Sequence, residues 1–322
     1  LSPGSLFSIS FILSYMAVIF LVISAPLTDS LKAKEDAGLF QKFASWIYVS
    51  LSVSFFATIG TSPFVIHFFG LFSPVGILAN LVLVPLFGII SVAPGLIAVF
   101  SLLFSNSLFF LFIRIAAIPV KIGTSIIVWL SEFKYSAFSC ISPDGIEVAF
   151  LYSIFFSAIF LARSMLANEK NIFSFSKASV WVLCLSITAL FADAAISTSK
   201  RFFRKDMEIS IIDVGHGNSA LIELPGGKTM LVDGGGFQSK GSFDTGRDVV
   251  APFLRRKKIL KIDYMVMTHP DTDHMKGLIY IAKEFSPEEL WKGHDVKDEP
   301  EYITLMDIVA EKGMKIRELD QN

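Results

Sequence analysis

Two histidines and two aspartates occur within six consecutive residues, in the motif His-Pro-Asp-Thr-Asp-His at positions 269–274. Imidazole nitrogens and carboxylate oxygens are ligands that suit Zn²⁺ and Mn²⁺. We predict that His269, Asp271, Asp273 and His274 converge on a small volume and hold such a divalent metal. A metal there supplies a hydroxide nucleophile, and a pair of metals can clamp both oxygens of a phosphodiester displacement. The alternative is a hydrogen-bonded turn in which Asp273 caps the following helix.

The residues around this motif have the pattern of a layered α/β domain, because strands are followed by alternating helices. Strands are expected at 208–214, 219–224, 229–232 and 262–268, and helices at 248–258 and 275–285. A short strand, a helix near 303–312 and another strand are expected after them. Asp233 and the three glycines that follow it allow the backbone to approach the site closely. His216 is expected to lie in a turn and His294 on the surface.

The first 199 residues have the composition of a membrane protein. Hydrophobic residues make up 53% of the 322-residue chain, above the usual share for soluble domains, and no charged residue occurs between Phe43 and Ile113. A span needs about 20 apolar residues. Six spans are predicted, at 6–26, 43–59, 75–104, 108–130, 146–162 and 178–195. The second is expected to end at Gly60–Pro63, which leaves 64–72 too short to cross.

Polar residues inside these spans are costly in hydrocarbon and therefore informative. Asn80 and Pro85 either line a polar path or form a kinked helix that packs through the asparagine. Arg114 and Lys121 are seven residues apart and share one helical face. That face either lines a route for an anion or lies at the interface with extended side chains.

Charge gives limited information about partners, because the net charge is −1. Cys140 and Cys184 show neither disulfide nor metal-ligand spacing. Two basic runs are each most simply explained as a solvated or headgroup-facing charge run. They are Lys200, Arg201, Arg204 and Lys205, and Arg255, Arg256, Lys257 and Lys258.

Basic loops predict which side of the membrane each segment faces. The loops on one side hold Lys32, Lys34, Lys42, Arg163, Lys170 and Lys177. That side is predicted to be cytoplasmic, so that the region after Ala195 lies outside the cytoplasm. The basic run at 200–205 argues for the opposite orientation, and one span more or fewer would also invert it. The chain is expected to be an internal piece of a longer protein, since it begins without Met and stops within a domain.

The sequence also resembles a known family. The segments EISIIDVGHGNSALIELPGGKTMLVDGGG from Glu208, Asp244-Thr245-Gly246 and VMTHPDTDHMKGL from Val266 are similar to the metallo-β-lactamase-like domain of the ComEC family. The segments SISFILSYMAVIFL from Ser8 and ANLVLVPLFGIISVAPG from Ala79 resemble that family's competence membrane domain. The resemblance covers nearly the whole chain, with the two blocks in the family's order.

The resemblance implies a polytopic α-helical membrane domain at 1–199, with about six spans. It is followed at 206–322 by the N-terminal half of an αββα-type, metallo-β-lactamase-like domain. The implied function is movement of single-stranded DNA across the bacterial cytoplasmic membrane in natural transformation. The lactamase-like domain would be a metal-dependent nuclease that degrades the non-imported strand. The implied partners are single-stranded DNA, the lipid bilayer, and the DNA-receptor and translocation proteins of the competence machinery. Only this resemblance makes the two basic runs, at 200–205 and 255–258, candidate DNA contacts.

The resemblance also assigns roles to single residues. His269, Asp273 and His274 take metal-ligand places of the superfamily motif HxHxDH, with Asp271 in place of its second histidine. Asp233 matches the acidic residue of the first lactamase-like motif and supports the site, so Asp233 and Asp273 are the catalytic candidates. The family commonly reads DVGQGDS where this chain has His216 and Asn218, and the chain ends before the superfamily's later ligands.

Two other functions stay open. The first is a channel whose soluble domain binds or guides DNA without cutting it. The second is a membrane-anchored metallohydrolase of another substrate class. An anchor needs only one span, so six predicted spans argue against the second.

Overall fold

The structure is a computed structural model that describes residue 4 and residues 7–167, 173–237 and 243–319. Leu6, Lys170 and the residues after Leu319, which enter the predictions above, lie outside these ranges. The chain divides into two compact units. The first contains the residues up to Ile66, Leu71–Ser139 and Val148–Ser186. The second contains His67–Gly70, Cys140–Glu147 and the residues from Ile187 onward.

Long apolar helices make up the N-terminal part of the chain. They are α1 (Ile9–Asp29), α2 (Leu39–Phe69), α3 (Val75–Pro85), α4 (Val92–Ser101), α5 (Asn106–Ser131), α6 (Gly145–Ala167) and α7 (Phe173–Phe202). A π-helical segment, Leu86–Ser91, joins α3 to α4, and short strands β1 (Leu71–Phe72) and β2 (Phe138–Ser139) pair antiparallel. Six stretches of the described residues are long and apolar enough to cross a membrane, as predicted. They are Ile9–Asp29, Leu39–Phe69, Val75–Ser101, Asn106–Ser131, Gly145–Leu166 and Lys177–Phe202.

The predicted end of the second span at Gly60–Pro63 is wrong, because α2 continues through Pro63 to Phe69. A proline has no N–H to donate to the carbonyl of residue i−4, here Ile59. The Ser62 hydroxyl donates to that carbonyl oxygen instead, at 3.0 Å. The Ser62 side chain thus supplies a hydrogen bond that the helix loses at the proline, and residues 64–69 continue α2 instead of forming a separate short segment.

Close packing around Gly60 holds three helices together in the first unit. A side chain at Gly60 would place its Cβ 2.6 Å from Cγ of Phe20, which is fully buried on α1. The Tyr152 hydroxyl on α6 donates to the Gly60 carbonyl at 2.9 Å. Small residues and interhelical hydrogen bonds of this kind hold membrane helices together where the hydrophobic effect cannot.

A six-stranded sheet forms the framework of the second unit. Its strands are β3 (Glu208–Ile211), β4 (Ala220–Glu223), β5 (Thr229–Val232), β6 (Tyr264–Met267), β7 (Glu289–Lys292) and β8 (Lys315–Glu318), in that spatial order. The first two pairings are antiparallel and the last three are parallel. The helices are α8 (Ala251–Arg256), α9 (Thr272–Phe285) and α10 (Pro300–Glu311), with a π-helical turn, Gly246–Val250, before α8.

Alternation along the strands builds the core of this unit. Leu221, Leu231, Met265 and Leu290 occupy equivalent positions on four neighbouring strands, and all are fully buried. They belong to one cluster with Leu278 of α9 and Leu305 of α10. The parallel strands thus end side by side, and the residues that follow them are brought to one edge of the sheet.

Two predicted boundaries differ from the structure in ways that matter for the site. The first strand ends at Ile211 rather than at Val214, because a glycine turn begins at Gly215, where φ is +76°. The helix predicted from Met275 begins earlier, at Thr272, so that Asp273 and His274 lie in its first turn. The N-cap residue is Asp271, and its side chain makes no capping hydrogen bond. The alternative in which Asp273 caps the helix is therefore wrong.

The basic residues at 204 and 257 form ion pairs within the second unit. Lys257 Nζ lies 2.6 Å from Glu208 Oε1 and 2.9 Å from Glu223 Oε2. Arg204 contacts the same two carboxylates, at 2.5 Å and 3.3 Å. These four side chains, which we call the Glu208 cluster, join the end of α7 and α8 to the first strands of the sheet.

We expect the Glu208 cluster to make stability fall at acid pH. The hydrogen bond from Lys257, and then that from Arg204, hold the pKa of Glu208 below its ordinary value of 4.5. A carboxyl whose pKa is lower in the folded state stabilises the fold above its unfolded value, and this contribution is lost as pH falls through the folded value. Glu208→Gln should therefore show a flatter decline in melting temperature than the wild type between about pH 5 and about pH 3. Equal slopes for the two proteins would contradict the prediction.

Candidate functional site

Asp233 is the buried centre of the site. It follows β5 directly, its φ is +56°, and it is only 2% exposed. Its Oδ1 accepts the backbone N–H of Thr268 at 2.9 Å, and its Oδ2 accepts the Thr268 hydroxyl at 2.7 Å. Its Oδ2 also lies 2.8 Å from Nδ1 of His274. A buried carboxyl group in contact with three donors fixes the positions of the groups around it.

These contacts determine which nitrogen of each histidine carries the proton. A carboxylate only accepts hydrogen bonds, so Nδ1 of His274 must donate to Asp233. The Thr268 hydroxyl proton is used on Asp233, so Nδ1 of His269, at 3.0 Å from that oxygen, must donate to it. Both rings in their neutral form therefore present an unprotonated Nε2. The two rings lie side by side, with centroids 3.7 Å apart.

Each free Nε2 lies near a carboxylate of the motif. Nε2 of His269 is 3.5 Å from Oδ2 of Asp271, and Nε2 of His274 is 3.6 Å from Oδ2 of Asp273. These distances exceed those of hydrogen bonds. In the neutral rings a lone pair faces a negatively charged oxygen, and a cation near both groups would stabilise that arrangement.

Asp271 already has a cation beside it. Lys297, on the segment between β7 and α10, hydrogen-bonds to Oδ1 of Asp271. The hydrogen bond from Lys297 lowers the pKa of Asp271, and the same contact raises the pKa of Lys297. The aspartate that stands at the superfamily's second histidine is therefore neutralised by a residue from a distant part of the chain.

Two glycine segments hold the backbone of the motif in place. A Cβ at Gly217, where φ is +85°, would lie 1.7 Å from the carbonyl oxygen of Asp273. A Cβ at Gly234, the first of the three glycines after Asp233, would lie 2.5 Å from the backbone nitrogen of Leu278 in α9. Only residues without a side chain allow these approaches, which confirms the prediction that the glycines permit close backbone contact.

The donor chemistry of the site fits a divalent metal, since two oriented imidazoles face two carboxylates. The geometry is less complete. Among the residues that the structure describes, no three His, Cys, Asp or Glu side chains are grouped so that they could hold one metal ion. The metal-ligand roles of His269, Asp271, Asp273 and His274 accordingly stay predictions.

The structure adds two residues that the sequence predictions did not include. Thr268 contacts Asp233 and His269 and stands within 3.4 Å of His274 Nδ1. Its position between β6 and the motif could have identified Thr268 as a site residue from the sequence. Lys297 had no such signal, because it lies 26 residues from Asp271. The ring of His216 packs against the ring of Phe237, with centroids 5.7 Å apart.

The polar residues of the predicted spans take different positions in the first unit. Asn80 is half-buried on α3, and Pro85 ends that helix and precedes the π-helical segment. The small residues Ala116, Pro119 and Gly123 of α5 are buried. Ser91 donates to the Ala116 carbonyl at 2.8 Å, so that face of α5 packs on the π-helical segment.

Arg114 and Lys121 are exposed on α5, and at about 100° per residue they lie about 160° and about 140° around the helix from Ala116. They therefore lie on the side of α5 that faces away from the π-helical segment. The polar path that would involve Asn80, Arg114 and Lys121 stays a prediction.

The basic run 255–258 makes contacts inside the second unit. Arg255 is 2% exposed, and its backbone carbonyl accepts from Ser142 N–H at 3.2 Å. Lys258 Nζ lies 2.9 Å from Glu147 Oε1 and 2.7 Å from Asp193 Oδ2. With Lys257 in the Glu208 cluster, these contacts favour a structural role for the run over a DNA-binding surface.

Comparison with known proteins adds to this geometry. The family model described as Competence protein matches residues 1–165. The Metallo-beta-lactamase superfamily model matches residues 212–305. The chain is 24% identical, over an alignment of 329 residues, to ComE operon protein 3 of Bacillus subtilis (strain 168). That alignment covers 99% of this chain and 39% of the relative, so the chain spans about two fifths of the relative's length.

Both parts of the sequence resemblance are therefore found in the order expected. The competence match covers the helical region up to residue 165, which includes the first five possible spans almost completely, and the α/β sheet domain carries the lactamase match. Proteins of the metallo-β-lactamase superfamily generally bind divalent metals. The chain thus belongs to the ComEC family of competence proteins, with a membrane-type helical region followed by a metallo-β-lactamase-like domain.

Proposed function

We propose that this chain is part of a DNA-uptake channel that moves single-stranded DNA across the bacterial cytoplasmic membrane during natural transformation. The observation that carries the proposal is the competence match over residues 1–165, with the lactamase match following it in the same chain at residues 212–305. We place the membrane domain at residues 1–199 and the lactamase-like domain at 206–322. DNA-receptor and translocation proteins of the competence machinery are the proposed partners.

Within the membrane domain, the proposed route for the polyanion lies near the polar residues of α3 and α5. Arg114 and Lys121 are exposed and lie on one face of the apolar helix α5. A basic face is costly in hydrocarbon and is stabilised beside phosphate or water. Asn80 and Pro85 are proposed as further polar residues of the route, because a proline followed by a π-helical segment frees backbone groups that need polar neighbours. Since Arg114 and Lys121 lie on the side of α5 that faces away from this segment, the two pairs would line different parts of the route.

In the lactamase-like domain, we propose that His269, Asp271, Asp273 and His274 hold a divalent cation, Zn²⁺ or Mn²⁺. When bound, such a cation lowers the pKa of water and supplies a nucleophile for phosphodiester hydrolysis. Asp233 and Thr268 would fix the proton positions of the two imidazoles, as their hydrogen bonds support. Asp273, beside Nε2 of His274, is the proposed catalytic carboxylate.

We further propose that the lactamase-like domain lies outside the cytoplasm, where the non-imported strand is released. The basic residues 200–205 argue against this orientation if they count as loop charge. However, Arg204 pairs with Glu208 and Glu223, and Arg201 donates to the Gly227 carbonyl at 3.1 Å. To test the orientation, Cys140 and Cys184 are replaced by serine, and a single cysteine introduced at exposed Asp206 is labelled with a membrane-impermeant reagent in intact cells. Labelling only after lysis would contradict it.

The uptake function is tested in competent cells that carry the complete protein as their only copy. Replacing both Arg114 and Lys121 with alanine should reduce internalised labelled DNA by roughly tenfold or more, since two phosphate-facing charges are lost. Lys134→Ala, which changes a lysine outside the predicted spans, is the matched control. Normal uptake in the double variant would exclude this route.

The same cells separate cutting from guiding. His274→Ala should leave single-stranded DNA uptake measurable but abolish the release of degraded strand into the medium. If strand release continues unchanged, the lactamase-like domain guides DNA without hydrolysing it. If uptake is unaffected by deletion of the whole protein, the chain is a membrane-anchored hydrolase of another substrate.

A further inference from the structure

Lys297 brings a positive charge to the carboxylate of the motif that departs from the superfamily pattern. It lies on the segment between β7 and α10, and its ammonium hydrogen-bonds to Asp271 Oδ1. It also lies 3.5 Å from Glu299 Oε1. The other oxygen of Asp271 faces Nε2 of His269 at 3.5 Å. One carboxylate oxygen of Asp271 thus contacts a lysine, and the other lies near the unprotonated nitrogen of an imidazole.

This arrangement differs from that of the second pair in the motif. Asp273 faces Nε2 of His274 at 3.6 Å in the same way. Within the described part of the chain, the ion pairs of Asp273 include no lysine or arginine. The two histidine–aspartate pairs are therefore alike in their lone-pair contacts and differ in whether a protein cation neutralises the carboxylate.

We propose that Lys297 is an internal competitor for divalent metal at the motif 269–274, so that its ion pair with Asp271 sets the affinity of the site. Lys297 neutralises Asp271 when no metal is bound, and it has to give up that carboxylate when a metal takes it. The inference rests on the proposed metal-binding role of the motif, and it concerns affinity rather than catalysis.

Two physical effects act in the same direction. Breaking the ion pair costs free energy before Asp271 can bind a metal, and the released ammonium then lies near a doubly charged ion and repels it. Both side chains are partly exposed, with 35% of Lys297 and 48% of Asp271 accessible, so water and salt weaken both effects. The expected change in affinity is therefore modest, about fivefold.

The experiment measures binding of Mn²⁺ to the whole chain in detergent by isothermal titration calorimetry. Lys297→Met removes the charge and keeps most of the stem, and it should tighten Mn²⁺ binding about fivefold. Lys297→Arg keeps a cation and should stay near the wild-type value. Lys261→Met is the matched control. Lys261 forms a comparable ion pair, with Glu288 at 2.6 Å, but it lies before β6, at the opposite end of that strand from the motif.

Tighter binding in Lys297→Met alone supports the inference. Unchanged or weaker binding in that variant overturns it, and so does the absence of Mn²⁺ binding in both the variant and the wild type. The readout is independent of DNA uptake and strand degradation. Tighter Mn²⁺ binding without any nuclease activity in the complete protein would overturn the hydrolytic part of the proposed function and leave the role of Lys297 intact.

Discussion

Gly217→Ala is expected to lower the free energy of unfolding of the lactamase-like domain by roughly 3–5 kcal/mol. Two costs add at this position. The backbone has φ of +85°, which residues with a side chain adopt only under strain. The new Cβ would also lie 1.7 Å from the carbonyl oxygen of Asp273, which belongs to a helix and cannot move away cheaply. The backbone of the motif would have to shift.

Gly226→Ala separates these two costs. Gly226 has nearly the same φ, +80°, but a Cβ there meets no atom within 4 Å. It should therefore lose only about 1–2 kcal/mol from backbone strain. The measurement is thermal unfolding of the purified chain in detergent, with protease resistance of the lactamase-like domain as a second probe. Equal losses in the two variants would show that the contact between Gly217 and Asp273 is unimportant.

Asp233→Ala is expected to have an effect of similar size, roughly 3–5 kcal/mol. The substitution would leave the Thr268 N–H, the Thr268 hydroxyl and Nδ1 of His274 without their acceptor in a buried site. Unpaired buried donors lower stability, because they have lost their hydrogen bonds to water and form none in the protein. The change should also release His274 from its fixed orientation.

Asp233→Asn tests whether the charge or only the shape matters. Asparagine tolerates the left-handed φ of +56° and fills the same volume. The amide oxygen can still accept hydrogen bonds, but the amide NH₂ group would face one of the three donors. An intermediate loss of about 1–3 kcal/mol is therefore expected. Asp206→Ala, which removes an exposed carboxylate, should change stability by less than about 0.5 kcal/mol. A wild-type-like Asp233→Ala would show that Asp233 is not the centre of the site.

Local sequence properties predicted most of the elements correctly. Hydropathy and length identify a span because the hydrocarbon core has a fixed thickness, and the six predicted spans agree with the six long apolar helices. Period-two and helical patterns located β4, β5, β6 and α10 within a few residues. The errors occurred at the ends of elements, where individual residues determine whether the helix or strand continues. Ser62 lets α2 continue through Pro63, and the glycine turn at 215–217 ends β3 early.

The sequence by itself determined the family, the order of the two regions, and the motif whose donors have metal chemistry. Tertiary structure decided which of these donors are oriented and which are neutralised. Asp233 and His274 are 41 residues apart and meet only because β5 and β6 are neighbours in the sheet. Lys297 reaches Asp271 because β7 pairs with β6 and returns the chain to the same edge. Strand neighbours follow from the whole fold rather than from local spacing, and so do the proton positions and charges at the site.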